Sequence, residues 1–315
     1  MSNPVQRRAR RALLFLALAL SSACASTPTL RAPAVASPAT LEQFTLHAGD
    51  GSGVLDGADF MQRVAQAEVI FLGETHDDAV AHALQRDLYA AICERFEGTA
   101  LSLEMLERDE QTLVDDWREG IIDDATFAAL TNSESWAGAG SWNAWYQPVL
   151  DVARENDAAV IAANAPRRYV RLARSEGFGR LDQLPAERRA FVRRPAEPLG
   201  GAYRERFFAL LGGIHGDDAN AAEQEAFLGA MFRSQQVWDA TMAESIARGL
   251  GAGSRRVVHL VGQFHSDYAG GTVMALEQLR PGTRVLTVSF APQADPGALA
   301  ETDRGRADVV IYTGQ

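Results

Sequence analysis

The sequence predicts an α/β fold, with a mostly parallel central sheet, helices on both faces of that sheet and a helical insertion. Two observations support this prediction. Apolar segments of about five to eight residues alternate along the chain with segments of helical periodicity, and the turns that join them are short. Because parallel strands need crossover connections and are buried on both sides, this alternation is typical of a largely parallel sheet covered by helices.

The predicted elements follow this alternation in order from residue 59 onward. A helix over residues 59–66 precedes an apolar strand over 68–72, and a second helix begins at Asp77 and Asp78 and ends at Gly98. Further strands are predicted over 99–106, 158–164, 255–265, 283–291 and 307–314, with further helices over 107–120, 145–156 and 272–280. The strand and helix unit therefore recurs through the chain.

Residues 167–248 interrupt the alternation. This stretch has Pro and Gly breaks, no convincing strand pattern, and eleven Arg between Arg167 and Arg206. A long segment without strands inside an alternating pattern indicates added structure rather than a connecting loop. We therefore expect a helical insertion that lies over one end of the sheet, within a single domain over residues 43–315.

The N-terminus has the pattern of a secretory signal peptide over residues 1–23. Four Arg precede the nine-residue apolar run Ala12–Leu20, which is followed by small residues and is too short to span a bilayer. Cys24 follows directly, and lipidation there and a soluble periplasmic protein both remain open. Residues 24–42 are rich in Ala, Pro and Ser, which is typical of a tether. We expect export to the periplasm or the outer membrane.

Composition excludes several classes of function. All 30 basic residues are Arg, so the chain has no Schiff-base Lys, no P-loop Lys and no Ser-Lys dyad. The net charge of −11 would become −15 after removal of residues 1–23, because that segment holds four Arg and no acidic residue. Such a surface repels nucleic acid. Beyond Cys24, Cys93 is the remaining cysteine, so the folded part can form no intramolecular disulfide.

Polar residues follow four of the predicted strands at the point where each ends. Glu74 and His76 follow the first strand, and Glu104, Asn164 and His265 end three others. Because the carboxyl ends of parallel strands lie along one edge, we expect these side chains to converge on one crevice. Two further polar residues, His82 and Gln85, lie in the first turns of the next helix and can face the same crevice.

The segments "GETH" (73–76) and "GQFH" (262–265) share the pattern Gly-x-x-His at a strand end. The following helix N-terminus disfavours imidazolium, so we expect neutral imidazoles able to bind a cation. The candidate ligands of a divalent transition metal are Glu74, His76, His82, Glu104 and His265. The alternative is that each of these side chains only caps its strand end through nearby backbone amides.

Six segments, in order, resemble the ChaN-like haem-binding lipoproteins, within the superfamily of the Tiki proteases and the erythromycin esterases. They are "FLGETHDDAVAHALQ", "LSLEML", "WYQPVLDVA", "VIAANAPRR", "SQQVWDATMA" and "HLVGQFH". This ordered set, over about residues 60 to 280, is more specific than any single motif. The resemblance implies an α/β fold with a helical subdomain and a role in haem or iron acquisition at the envelope. It also implies metal-dependent cleavage as an alternative, since Tiki proteases use paired Gly-x-x-His motifs.

Three functions remain open from the sequence. The first is haem binding, with an outer-membrane haem receptor and a homodimer as expected partners; the candidate residues are Tyr203, Tyr146, Tyr268, Met242, Asp239, Gln85, Arg167 and Arg204. The second is a metal-dependent or metal-free hydrolase that uses Glu74, His76, Glu104 and His265. The third is a binding or assembly module without chemistry.

Overall fold

The computed structural model describes residues 41–212 and 221–314. In these ranges an eight-stranded, mostly parallel sheet is surrounded by eleven α-helices, which confirms the predicted fold class. The predicted signal peptide, Cys24 and the tether up to residue 40 lie outside the described residues. Within the described ranges, no helix combines the length and apolarity that crossing a bilayer requires.

The strands run in the order β2-β1-β8-β7-β3-β6-β4-β5 across the sheet. Their bounds are β1 Leu46–Ala48, β2 Val54–Leu55, β3 Val69–Glu74, β4 Thr99–Glu107, β5 Val160–Asn164, β6 Arg256–Gly262, β7 Val285–Ala291 and β8 Val309–Tyr312. Neighbours from β8 to β5 are parallel, whereas β1 is antiparallel to both β8 and β2. Strands β3, β6 and β4 are neighbours in this order and run parallel, so their carboxyl ends lie side by side at one edge of the sheet.

The helices lie in the connections between consecutive strands. Their bounds are α1 Gly57–Gln66, α2 Ala79–Arg95, α3 Gln111–Arg118, α4 Asp124–Leu130, α5 Gln147–Glu155, α6 Arg167–Glu176, α7 Phe178–Asp182, α8 Ala186–Arg189, α9 Gly201–Leu211, α10 Ala221–Gly251 and α11 Gly271–Leu279. A π-helical turn, Trp142–Tyr146, leads into α5. The described part of the predicted insertion, 167–212 and 221–248, contains α6 to α9 and most of α10 and no strand.

Alternate residues of each central strand face two separate apolar cores. On β3, Ile70 and Leu72 pack with α1 to α5, whereas Val69 and Phe71 pack with α9, α10 and α11. This alternation follows from the pleat of a strand, and it explains why the strands read as continuous apolar runs. Helix α10 crosses the second face and contacts α6, α11 and β5.

Strand β6 is shorter than the sequence predicts. The apolar run predicts a strand that continues to His265, but β6 ends at Gly262 and a 3₁₀ turn, Gln263–His265, follows. The backbone N–H of Gly262 donates to the side-chain oxygen Oε2 of Glu104, on the neighbouring strand β4, at 2.6 Å. The carboxylate therefore ends the ladder, and the chain turns so that His265 points into the sheet edge.

Candidate functional site

Strand ends β3, β6 and β4 bring four of the predicted polar residues into one cluster. Glu74 pairs in register with Gly262, and a Cβ placed on Gly262 would lie 3.1 Å from Cε1 of His76 and 3.5 Å from Oε2 of Glu104. On the other side of Glu104, its Oε1 lies 3.6 Å from Nε2 of His265. Two histidine–carboxylate pairs thus flank Glu104 at a single edge of the sheet.

Glu74 is the buried centre of the first pair. Its Oε1 accepts hydrogen bonds from the Tyr146 hydroxyl at 2.8 Å and from Nδ1 of His76 at 3.0 Å. Its other oxygen, Oε2, lies 3.1 Å from Nδ1 of His82 but accepts no hydrogen bond from the described residues. Although burial raises the pKa of the Glu74 carboxyl, the positive charge of His82 and the hydrogen bond from His76 lower it well below its ordinary value.

Hydrogen-bond acceptors face both ring nitrogens of His82. Nε2 lies 3.2 Å from the carbonyl oxygen of His76, and Nδ1 lies 3.1 Å from Oε1 of Gln85. Nε2 of Gln85 donates to the Leu72 carbonyl at 3.1 Å, which turns Oε1 of the amide toward the ring. Burial lowers the pKa of His82, but the charge of Glu74 and these hydrogen bonds reverse the shift and raise it. The ring also stacks on Trp145, with centroids 4.8 Å apart.

Asp239 of α10 is the centre of the second pair. Its Oδ1 lies 2.6 Å from Nδ1 of His265 and accepts from the Thr272 hydroxyl at 3.0 Å, while its Oδ2 accepts from the Tyr203 hydroxyl at 2.7 Å. The amide nitrogen of Gln235 lies 3.2 Å from Nδ1 and 3.3 Å from Nε2 of the same ring. Helices α9, α10 and α11 therefore all contribute to the position of His265.

The two Gly-x-x-His histidines differ in exposure. The His76 side chain is 45% exposed, whereas that of His265 is 10% exposed. His76 lies at the open side of the site beside Trp136, with ring centroids 6.2 Å apart. The indole N–H of Trp136 is buried and has no partner among the described residues, and the guanidinium of Arg167 covers its ring at 5.1 Å. A ligand that reaches this edge would therefore meet His76 and Trp136 first.

The prediction of neutral imidazoles is wrong. Burial lowers the pKa of His76, but the hydrogen bond that His76 donates to Glu74 and the charges of Glu104, Glu74 and Asp77 raise it to about 9. Burial likewise lowers the pKa of His265, and the charges of Asp239 and Glu104 raise it above its ordinary value. Carboxylates within hydrogen-bonding distance outweigh the helix dipole, which acts only over the first turn.

The predicted metal ligands are together but already paired with one another. Among the described residues, no group of three or more His, Cys, Asp or Glu side chains is arranged to hold a metal ion. Glu74 is bonded to Tyr146 and His76, and His265 is bonded to Asp239. The arrangement that the described residues adopt supports proton transfer by histidine–carboxylate pairs more directly than metal coordination.

A family model described as haem-binding uptake, Tiki superfamily, ChaN matches residues 60–276. The chain belongs to this family. The structure of ChaN of Campylobacter jejuni, which records cofacial haem binding, is 18% identical with a TM-score of 0.64 over 86% of this chain and 97% of that chain. This similarity establishes a shared fold.

A variant of the erythromycin esterase EreC in its open conformation is 11% identical with a TM-score of 0.43, over 85% of this chain and 81% of that chain, which is too distant to support an argument. No curated protein matches the sequence at a significant level.

For this ChaN family member, the structure places the predicted haem residues in different surroundings. The hydroxyls of Tyr203 and Tyr146 donate to Asp239 and Glu74, and Met242 is fully buried in the second core. Arg204 pairs with Glu225 and covers the ring of Phe208. The remaining tyrosine of the set, Tyr268, is partly exposed, and its hydroxyl donates to the Thr302 carbonyl at 2.9 Å.

Several residues of the site carry no signal that sequence reasoning could use. Trp136 lies in a loop between helices, and Thr272 begins α11 next to two glycines. Arg206 and Arg306 flank the Tyr268 ring, with guanidinium carbons 4.6 Å and 6.0 Å from its centroid. These residues belong to the site through folding alone. A tryptophan or an arginine outside a motif has no distinguishing neighbours in the sequence.

Proposed function

We propose that this protein binds haem at the cell envelope and takes part in haem or iron uptake. The observation that carries the proposal is the match of the haem-binding uptake family to residues 60–276. ChaN of Campylobacter jejuni, which shares the fold, is described with cofacial haem binding. The predicted signal peptide and Cys24 support a location at the envelope. An outer-membrane haem receptor and a second copy of this chain are the partners that such a role requires.

Tyr268 is the candidate axial ligand that fits haem best. A tyrosine phenolate is a suitable ligand for haem iron. The guanidinium carbons of Arg206 and Arg306 lie 4.6 Å and 6.0 Å from the centroid of the Tyr268 ring, and Arg306 is also paired with Asp267 at 3.5 Å and with Asp303 at 3.2 Å. The same guanidiniums suit the carboxylates of the haem propionates. Bound haem would supply the iron, and this chain would supply the phenolate and the cationic surroundings.

Arg167 belongs to a different part of the edge. It follows β5, whereas the 3₁₀ turn that contains Tyr268 contacts β7. Strands β4, β6 and β3 lie between β5 and β7, so four strand spacings of about 4.8 Å separate the two regions by roughly 19 Å. We therefore assign Arg206 and Arg306, rather than Arg167, to the propionates of a haem bound at Tyr268.

Titration of the purified apoprotein with haemin tests this proposal. We expect saturable binding with a Soret shift, and loss of the phenolate charge-transfer band in Tyr268→Phe. Tyr169→Phe is the matched control, because Tyr169 also carries an arginine, Arg168, 4.5 Å from its ring centroid. Absence of saturable binding would overturn the haem proposal. Saturable binding with the band retained in Tyr268→Phe but lost in Tyr203→Phe or Tyr146→Phe would move the ligand to that tyrosine.

A second candidate function is metal-free hydrolysis, which the two histidine–carboxylate pairs around Glu104 favour. His76, with a pKa of about 9, is protonated at neutral pH and can donate a proton to a leaving group. The Gly262 N–H donates to Oε2 of Glu104. The other carboxylate oxygen, Oε1, can accept a proton from water. The unpaired indole N–H of Trp136 can bind a developing oxyanion.

A panel of ester and peptide substrates, assayed with and without a chelator, tests the second candidate. We expect His76→Gln and Glu104→Gln each to lower kcat by about 100-fold or more, with no effect of the chelator. His47→Gln is the control, because His47 is buried beside Asp295 at the opposite end of the sheet order, on β1. If no substrate is turned over, or if both site variants keep full activity, the hydrolase reading fails.

A further inference from the structure

A cavity lined by arginines lies in the helical region, on the side of α10 away from the candidate site. We call it the arginine cavity; its lining includes Arg189, Arg193 and Arg194, the carboxylate of Asp182 and the apolar residues Leu181, Val192 and Pro195, and its volume is about 440 Å³. Asp239 and Thr241 are two positions apart on α10, so their side chains point about 200° apart. Asp239 faces His265, whereas Thr241 faces Arg193. The arginine cavity is therefore separate from the strand-end site.

Positive charge in this region exceeds the available negative charge. Glu244 alone receives three guanidiniums: Arg108 at 2.7 Å, Arg248 at 3.0 Å and Arg193 at 3.4 Å. Arg194 pairs with Asp182 at 3.1 Å. Arg189 is exposed and has no ion-pair partner among the described residues. Five guanidiniums thus meet two carboxylates, which leaves a local excess of three positive charges in a protein whose net charge is −11.

Hydrogen bonds hold the backbone that carries these arginines in place without a ligand. The N–H of Arg193 donates to the Thr241 hydroxyl at 2.9 Å, and that hydroxyl donates to the Arg193 carbonyl at 3.2 Å. Arg108 is 8% exposed and donates to the Ala190 carbonyl, so it ties the same loop to the end of β4. Burial and the charges of Arg248 and Arg193 lower the pKa of Arg108 to about 10, a repulsion that a bound anion would relieve.

We propose that the arginine cavity binds a ligand that carries a phosphomonoester group. Guanidinium groups bind phosphate oxygens through paired, charge-assisted hydrogen bonds. A phosphomonoester carries about −1.5 to −2 charges and three acceptor oxygens, which matches the three arginines of the lining better than a carboxylate with one charge. The volume lies within the ~300–1,000 Å³ of small-molecule sites, so an organic group attached to the phosphate can pack on Leu181, Val192 and Pro195.

The phosphomonoester can come from a soluble metabolite or from a lipid headgroup, and two probes distinguish these sources. Glycerol 2-phosphate is titrated into the full mature chain by calorimetry. Separately, the protein is sedimented with vesicles that contain phosphatidic acid in phosphatidylcholine, or phosphatidylcholine alone. Saturable binding of glycerol 2-phosphate supports a soluble ligand, and binding only to the phosphatidic acid vesicles supports a lipid.

Variants of the cavity arginines test whether either probe binds there. We expect Arg189→Gln and Arg194→Gln each to weaken binding by about tenfold, because each removes one charge-assisted contact. Arg284→Gln is the matched control, since it removes one exposed guanidinium from a pair with Glu68. Asp182→Asn should strengthen binding, because it removes the carboxylate that competes for Arg194.

Thermal unfolding of each variant checks that the fold is intact. Binding of neither probe, or equal affinities in the wild type, Arg189→Gln and Arg194→Gln, would overturn the proposal. Haem binding is measured on the same samples. Because the arginine cavity lies away from Tyr268, loss of phosphate binding with retained haem binding separates this inference from the proposed function.

Discussion

The two Gly-x-x-His segments have the same pattern and lie on adjacent strands, but their histidines have different surroundings. His76 is 45% exposed and lies in a loop before α2, whereas His265 is 10% exposed and lies in a 3₁₀ turn beneath α10. His76 is hydrogen-bonded to Glu74, two positions away, and its ring lies beside Trp136 at the open side of the site. His265 interacts with Asp239 and Gln235, about thirty positions away in the chain. The motif therefore determines where each imidazole lies, and the elements packed around it determine its exposure and its hydrogen-bond partners.

The largest expected effect comes from removing the carboxylate that holds the buried histidine. Asp239→Ala leaves the Tyr203 and Thr272 hydroxyls and the buried ring of His265 without their shared acceptor. Breaking a buried ion pair on one side costs about 3–5 kcal/mol, so we expect a loss of this size in the free energy of unfolding. Urea denaturation measures it, with Asp59→Ala, at an exposed position of α1, as control. A loss below about 1 kcal/mol would show that His265 does not depend on Asp239.

An effect of intermediate size is expected from alanine substitution of the two motif glycines, and it should differ between them. A Cβ on Gly73 would lie 2.8 Å from Oγ of Ser266 and 3.1 Å from the backbone Cα of Gln263, which cannot move aside. A Cβ on Gly262 would meet the ring of His76, which is half exposed and can rotate. We expect Gly73→Ala to destabilise the fold by about 1–3 kcal/mol and Gly262→Ala by less than about 1 kcal/mol. Thermal unfolding compares them, and equal losses would contradict the difference in packing.

The smallest expected effect is a pH dependence that belongs to His76. The folded-state pKa of about 9 lies above the ordinary value of 6.5, so protonated His76 stabilises the fold fully below pH 6.5. This contribution is lost as the pH rises from 6.5 through 9. Because the ring is half exposed, we expect a change of about 1 kcal/mol or less.

Unfolding of wild type and His76→Gln between pH 6 and 10 measures this contribution. The two stability curves should converge as the pH rises, and parallel curves would contradict the raised pKa. A histidine in the sheet interior, His259, serves as the internal reference in an NMR titration. Burial lowers its pKa to about 3, so its ring signals should not move over the same range.

Much of the fold was predictable because it depends on local patterns. Continuous apolar runs predict buried parallel strands, and Asp78, which caps α2 through its side chain, is a recognisable helix start. The convergence of Glu74, His76, Glu104 and His265 was also predictable, since parallel strands end at one edge. Helix α4 and the early end of β6 were not predicted. The end of β6 depends on a hydrogen bond from Gly262 to a carboxylate 158 positions away.

The sequence by itself determined the fold class, the family and the set of ionisable groups at the sheet edge. These follow from periodicity and from ordered motifs, which need only neighbouring residues. The tertiary structure alone decided that the pKa of His76 is raised to about 9, that the Tyr203 hydroxyl is hydrogen-bonded to Asp239, and that Arg206 and Arg306 lie near the Tyr268 ring. Burial and charge act through space, and the partners that set a pKa or occupy a hydroxyl come from distant parts of the chain.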